Sequence, residues 1–166
     1  GLCSQFLAGL EVGDTIEAAM EKNPKFHFPA EAPSIWMIAN GTGIAPYLGM
    51  LKENTGALIQ LTWGGRTTES FDCYKTYIQE AYDFNRIEGY EVVLSREGER
   101  QYVQDALRQQ EEKVAQLFDE GGTVMICGSM AMQEEVLQVM DEITLAKLDL
   151  PLSAFQETGQ VLKDCY

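Results

Sequence analysis

Apolar residues fall along this chain in two rhythms. Ser34-Ile35-Trp36-Met37-Ile38-Ala39 is an almost unbroken apolar run that stops at Gly41-Thr42-Gly43, and Ala57 to Trp63 repeats the pattern, stopping at Gly64-Gly65. Runs of this length with glycine at the end predict strands buried on both faces. Tyr90 to Leu94 and Thr123 to Ile126, the latter followed by Cys127-Gly128, are of the same kind. Between them the spacing changes to that of helices, predicted from about Pro46 to Glu53, Phe71 to Asn85, Tyr102 to Glu120 in one piece, and about Ala131 to Lys147. Pro46 falls in a first helical turn, where proline is tolerated. A turn is predicted at Pro151, and Gln160 to Tyr166 is apolar enough at Val161, Leu162 and Cys165 to form an edge strand. Upstream, Asp14 to Glu17 and Phe26 to Phe28 read as short strands that end at Pro29 and the linker Glu31-Ala32-Pro33.

Strands alternating with helices of ten or so residues predict an α/β fold with a doubly wound parallel sheet. In such a sheet the ligand belongs at the carboxyl ends of the strands, where the glycine turns fall. The chain of 166 residues is long enough for one domain with a full core plus a short appendage. A net charge of −14 argues against nucleic acid and anionic membrane surfaces, both of which need basic patches. No apolar run approaches the length of a membrane span, so no membrane contact is expected of this stretch. The expected location is cytoplasmic, or the cytoplasmic face of a membrane if an anchor lies upstream. Cys3, Cys73, Cys127 and Cys165 form no C-x-x-C pair and have no histidine cluster nearby, so no metal site is expected. The single histidine, His27, reads as a half-exposed strand residue in the alternation Lys25-Phe26-His27-Phe28.

Two stretches suggest chemistry. In Asn40-Gly41-Thr42-Gly43-Ile44-Ala45-Pro46, two glycines let the backbone come close to a phosphate, and the following helix start offers free N–H groups. Such a turn also arises for steric reasons alone. Ser95, Arg96 and Arg100 place a hydroxyl and two guanidiniums around one loop, the donors a phosphate dianion wants. In a chain with only 12 basic residues that clustering carries information. An NAD-specific site would instead place an acid on the ribose hydroxyls, and Glu97 is the sole candidate there.

Gly-Thr-Gly-Ile-Ala-Pro in full resembles the nicotinamide-nucleotide motif of the ferredoxin–NADP reductase superfamily, and five further stretches resemble that family in order. Trp63-Gly64-Gly65-Arg66 is similar to its aromatic-Gly-x-Arg turn near the pyrophosphate. Leu94-Ser95-Arg96 is similar to its Ser-Arg pair on the 2′-phosphate. Arg100-Gln101-Tyr102-Val103-Gln104 resembles its Lys-x-Tyr-x-Gln, which flanks that phosphate and the adenine. Cys127-Gly128-Ser129 resembles its Cys-Gly-Asp turn beside the nicotinamide, and Asp164-Cys165-Tyr166 its closing acid-x-aromatic, whose ring covers the flavin. Within the family the diflavin reductases are most similar, the sulfite reductase flavoprotein type among them. The start, Gly1-Leu2-Cys3-Ser4-Gln5-Phe6-Leu7, resembles their helix start on the FAD pyrophosphate.

The resemblance implies residues 1–30 as the tail of an FAD-binding barrel domain and 31–166 as the NADP(H)-binding domain. The chain is therefore expected to be part of a flavoprotein oxidoreductase that passes a hydride from NADPH to FAD. It is expected to be inactive without the missing part of the FAD domain. Electrons would leave through FMN on a further upstream domain or through a redox-protein acceptor. Cys127, Asp164 and Tyr166 are implied at the catalytic centre. Gly41, Thr42, Gly43, Pro46, Gly65, Arg66, Ser95, Arg96, Arg100, Tyr102, Gln104, Gly128 and Ser129 are implied on NADP(H), and Gly1, Cys3 and Ser4 on FAD. The alternatives are a single-flavin ferredoxin or flavodoxin reductase and a non-catalytic nucleotide-binding module. The sequence also departs from the pattern. Asn40 stands where Gly-Pro is usual, Gly65 where cysteine is frequent, Ser129 where aspartate is frequent, and Gln160 where arginine is frequent.

Overall fold

The computed structural model describes residues 2–19, 23–53 and 56–166, apart from the side chains of Ser4 and Glu53. Five strands make one all-parallel sheet: β1 (Ser34–Asn40), β2 (Leu58–Gly65), β3 (Gly89–Leu94), β4 (Thr123–Gly128) and β5 (Val161–Cys165). Their spatial order is β3-β2-β1-β4-β5, so the winding reverses between β1 and β4. That reversal opens a crevice above the carboxyl ends of the two central strands.

Alternation along β1 divides the core in two. Ile35, Met37 and Ala39 face a layer holding α2 (Ala45–Glu53) and α3 (Glu69–Asp83). Trp36 and Ile38 face the other layer, built from α4 (Val103–Gln109), α5 (Glu111–Asp119), α6 (Met130–Leu148) and α7 (Leu152–Glu157). Both faces of the central strands are thus covered, which is why they read as continuous apolar runs. A short helix, α1 (Leu2–Ala8), lies upstream of the sheet. Among the described residues no helix is long and apolar enough to cross a membrane.

Four expectations are corrected. Residues 14–17 and 26–28 form no strand, because no neighbouring strand among the described residues offers them a hydrogen-bond ladder. The alternation at 25–28 has another cause: Phe26 is buried against Tyr47, with ring centroids 6.0 Å apart, while Lys25 and His27 face out. His27 is accordingly exposed rather than half-exposed in a strand. The helix expected over 102–120 is two helices with a break at Gln110 (φ −118, ψ 30). A straight helix would turn Gln110 inward, and its amide is instead held by Glu91 of β3 at 2.7 Å. Finally, the turn at Pro151 opens α7. Its buried pair Leu152 and Phe155 is too short a pattern for periodicity to reveal, and Phe155 packs on Phe118 at 4.8 Å.

Candidate functional site

A cleft of about 700 Å³ lies over the carboxyl ends of the strands. Its floor is the turn after β1, where Gly41 to Ile44 form one 3-10 turn leading into α2. Gly43 passes so close to β4 that a Cβ there would overlap the Cys127 carbonyl. Trp63, fully buried, donates its indole N–H to the Gly41 carbonyl at 2.9 Å and so holds the turn from the β2 side. The same indole explains Gly65: a Cβ there would run into the Trp63 ring. Trp63 and Gly65 are thus a matched size pair, and cysteine would not fit beside this tryptophan.

On the β4 side, Asn40 and Ser129 clasp each other. The Ser129 backbone N–H donates to Asn40 Oδ1 at 2.9 Å, and Asn40 Nδ2 donates to Ser129 Oγ at 3.0 Å. Ser129 Oγ also accepts the Met132 N–H at 3.3 Å and caps α6. Gly128 between them takes φ +144, and a Cβ would overlap Asn40 Oδ1. Two departures from the family pattern therefore turn out to be partners. Gln160, a third, donates to the carbonyls of Phe118 and Gly122, both at 3.0 Å, and so secures the start of β5.

Cys127 and Asp164 are register partners on β4 and β5. Cys127 is 2% exposed and lies beneath the cleft rather than in its wall. Burial first, then the Asp164 carboxylate, pushes its thiol up to about 11, so it stays protonated near neutrality. Tyr47 packs in the same core layer, its hydroxyl on the Ile38 carbonyl at 3.1 Å. Burial holds that phenol protonated as well. Tyr166, 73% exposed, is tied by its N–H to the Gly128 carbonyl and by its hydroxyl to Thr42 Oγ1 at 2.8 Å.

At the other end, the Ser95 N–H and hydroxyl both reach the Gly65 carbonyl, at 2.9 and 3.2 Å, and Arg96 N–H reaches the Arg66 carbonyl at 3.0 Å. Ser95, Arg66, Tyr102 and Gln104 line the cleft, whereas the exposed Arg96 and Arg100 stand outside its wall. Arg100 is left-handed, φ +54. Among the described residues, the guanidiniums of Arg66, Arg96 and Arg100 have no ion-pair partner. Glu97, the acid that the sequence offers for a ribose, is bound through one oxygen to the start of α3. It accepts the Thr68 N–H at 2.8 Å and hydroxyl at 2.7 Å, which holds its carboxyl below the usual range.

Of the other candidates, Gly41, Thr42, Gly65 and Ser129 line the cleft, and Gly43, Pro46 and Gly128 support the turns behind it. Cys3 is an exposed residue of α1. Gly1 and the Ser4 side chain lie outside the described residues. Ser70 and Tyr74 of α3 and Glu135 of α6 line the cleft too, and sequence reasoning missed them. The signal was available: 70 and 74 are one turn apart, and Ala131 and Glu135 repeat that spacing after the Ser129 cap.

The matches to known proteins agree with the fold. The family described as the oxidoreductase NAD-binding domain matches residues 37–138. The chain belongs to that family. It is a nucleotide-binding oxidoreductase domain of the ferredoxin–NADP reductase superfamily. Similar proteins include a self-sufficient cytochrome P450 monooxygenase from Oidiodendron maius, 31% identical over 86% of this chain and 15% of that protein. A chloroplastic embryo-isozyme ferredoxin–NADP reductase from Oryza sativa is 28% identical over 86% of this chain and 42% of its own length. A nitric oxide synthase from Anopheles stephensi is 29% identical over 86% of this chain and 12% of its own. The chain thus spans less than half the length of each of these relatives.

Proposed function

We propose that the cleft binds NADP(H) in preference to NAD(H), and that the domain serves an NADPH-dependent flavoprotein. The observation that carries this reading is the set of uncommitted guanidiniums, Arg66, Arg96 and Arg100, around Ser95 in a chain of net charge −14. Cations left unpaired amid so much carboxylate suit a phosphate dianion, and Glu97, the acid that the sequence offers an NAD site, is turned to Thr68 at the start of α3. The Gly41–Ile44 turn would take the pyrophosphate on its backbone N–H groups, and the Tyr102 ring would flank the adenine end.

When bound, the two cofactors supply the redox chemistry, a hydride from NADPH to FAD. This chain's share is placement. Asp164 would face the reacting region beside a Cys127 thiol kept neutral by burial, and Tyr166 would cover the position that the nicotinamide must take. Residues 31–166 are proposed as the NADP(H) domain and residues 1–30 as the edge of the FAD domain. Exposed Leu2, Phe6, Leu7, Val12 and Ile16 support the second assignment, since apolar surface of this extent marks a contact region. The diflavin arrangement, of the sulfite reductase flavoprotein type, is our choice, with electrons passing to FMN on an upstream domain or to a redox-protein acceptor in the cytoplasm. The single-flavin reductase is the second reading, favoured by the 42% coverage of the Oryza sativa ferredoxin–NADP reductase.

The test is calorimetric titration of the chain with NADP+ and with NAD+. NADP+ is expected to bind about ten- to a hundredfold more tightly, the worth of charge-assisted phosphate contacts. Equal affinities would overturn the assignment of the 2′-phosphate site.

A further inference from the structure

We propose that Asn40 and Ser129 form a polar reading head that takes an oxygen on the nicotinamide side of the dinucleotide through the Ser129 hydroxyl proton; this rests on the nucleotide site proposed above. Hydrogen-bond arithmetic leads there. A backbone N–H can only donate, so the Asn40 atom 2.9 Å from the Ser129 N–H must be the oxygen. The amide nitrogen is thereby turned to Ser129 Oγ, at 3.0 Å. That oxygen also accepts the Met132 N–H. A serine hydroxyl offers two lone pairs and one proton. Both lone pairs are spent, only the proton remains, and among the described residues it has no acceptor. Ser129 is half-buried in the wall of the cleft, so it presents a donor of fixed polarity to whatever lies there.

The place of this donor identifies its target. Ser95 follows β3 and Ser129 follows β4, separated by three strand spacings, about 14 Å. A dinucleotide with its 2′-phosphate at Ser95 and its pyrophosphate on the Gly41 turn therefore brings its nicotinamide nucleoside half to Ser129. The acceptors available in that half are the carboxamide carbonyl and the ribose oxygens. An aspartate at this position would offer only acceptors and would favour the opposite partner. Asn40 is a positioning residue: it touches no ligand in this scheme, but it removes the alternative in which the Ser129 lone pairs face the cleft.

Calorimetry with two ligands tests this. NADP+ carries the whole dinucleotide, whereas adenosine 2′,5′-bisphosphate keeps the 2′-phosphate end and lacks the nicotinamide half. Ser129→Ala and Asn40→Ala should each weaken NADP+ by about fivefold, the size of one neutral hydrogen bond, and leave the bisphosphate within about twofold. Retained bisphosphate binding also shows that each variant is folded. The double variant should be no weaker than the weaker single variant, because Asn40 acts through Ser129. Ser129→Thr, which keeps the hydroxyl and the cap, should restore NADP+ affinity. Unchanged NADP+ affinity in both single variants, equal losses for the two ligands, or additive losses in the double variant would each overturn the proposal. If the parent chain binds neither ligand, the nucleotide site itself is wrong, and this assignment falls with it.

Discussion

The two ends of the cleft are built on opposite plans. Over β1, β4 and β5 the polar groups already hold one another: Trp63 on Gly41, Asn40 on Ser129, Tyr166 on Thr42 and on Gly128. Beyond β2 and β3 the main chain is tied down through Ser95 and Arg96, yet the cationic side chains carry no ion pair. The first end is geometry fixed in advance, and the second is charge whose geometry, in the proposed reading, the nucleotide would complete. The difference assigns separate tasks. A flexible guanidinium gains most from a dianion and supplies affinity, whereas a rigid turn sets where a ring must lie and supplies placement. Damage to the close-packed backbone of the first end should therefore appear in stability, and loss of a cation at the second in affinity.

Gly43→Ala is the hardest blow to the rigid end. The new methyl would overlap the Cys127 carbonyl, which is backbone of a central strand and cannot swing aside. A loss of about 3 kcal/mol in unfolding free energy is expected, at the upper end of overpacking costs. Urea denaturation of parent and variant measures it, and a loss under about 1 kcal/mol would show that the turn is not rigid. At the charged end Arg96→Ala should do the reverse. Stability should hold within about 0.5 kcal/mol, because the residue is exposed and unpaired. NADP+ affinity should fall by about ten- to a hundredfold while NAD+ affinity hardly moves. Equal losses for both nucleotides would place Arg96 away from the 2′-phosphate.

The same contrast governs what the sequence could reveal. The strands and turns of the rigid end were legible because double-sided burial forces apolar runs, and a strand-to-turn close approach forces glycine. The pairs that complete this end were visible only as oddities. Asn40 and Ser129 lie 89 residues apart, and nothing local says that one answers the other. Gly65 makes sense only once the Trp63 ring is seen above it. At the charged end the residue types were legible and their geometry was not: Arg96 and Arg100 stood out as a basic cluster but lie outside the cleft wall. Exposed side chains obey no periodicity, so spacing places them on a loop and says nothing about their direction. The break at Gln110 and the helix after Pro151 escaped for a related reason, since each is decided by one or two tertiary contacts.

A smaller effect follows from Cys127. Burial favours its neutral thiol, so the folded pKa, about 11, lies above the unfolded value, about 8.5. The stabilisation is therefore complete below the unfolded pKa and is lost as pH climbs through the folded one. Thermal midpoints should fall by a few degrees between about pH 8.5 and the folded value, less so in Cys127→Ala. In the same range the exposed Cys3 and Cys73 should alkylate freely while Cys127 stays protected until the chain unfolds. Early alkylation of Cys127 in folded protein would show that the β4 turn opens, contrary to the rigid plan.

The finest test concerns Tyr166, a contact of the rigid end that a nucleotide in the proposed site would undo. Its hydroxyl occupies Thr42 Oγ1 at 2.8 Å, in the turn proposed for the pyrophosphate, while its ring remains 73% exposed. A nucleotide entering that turn competes for the Thr42 hydroxyl, so part of its binding energy goes into releasing the tyrosine. The bond is between two solvent-accessible hydroxyls, and its net worth is at the low end of the usual range, about 0.5 kcal/mol. Tyr166→Phe keeps the ring and removes only this bond. NADP+ should consequently bind about twofold more tightly to the variant. Tyr166→Ala, which also removes the ring from the nicotinamide position, should tighten NADP+ further and narrow the preference over NAD+, because the nicotinamide half then contributes more. Both effects are read by calorimetry on the chain alone. If Tyr166→Phe matches the parent while Tyr166→Ala binds more tightly, the ring is the obstacle and the hydroxyl bond is incidental. If neither changes affinity, Tyr166 lies off the path of the nucleotide, and the rigid end of the cleft is preorganised without any contact to release.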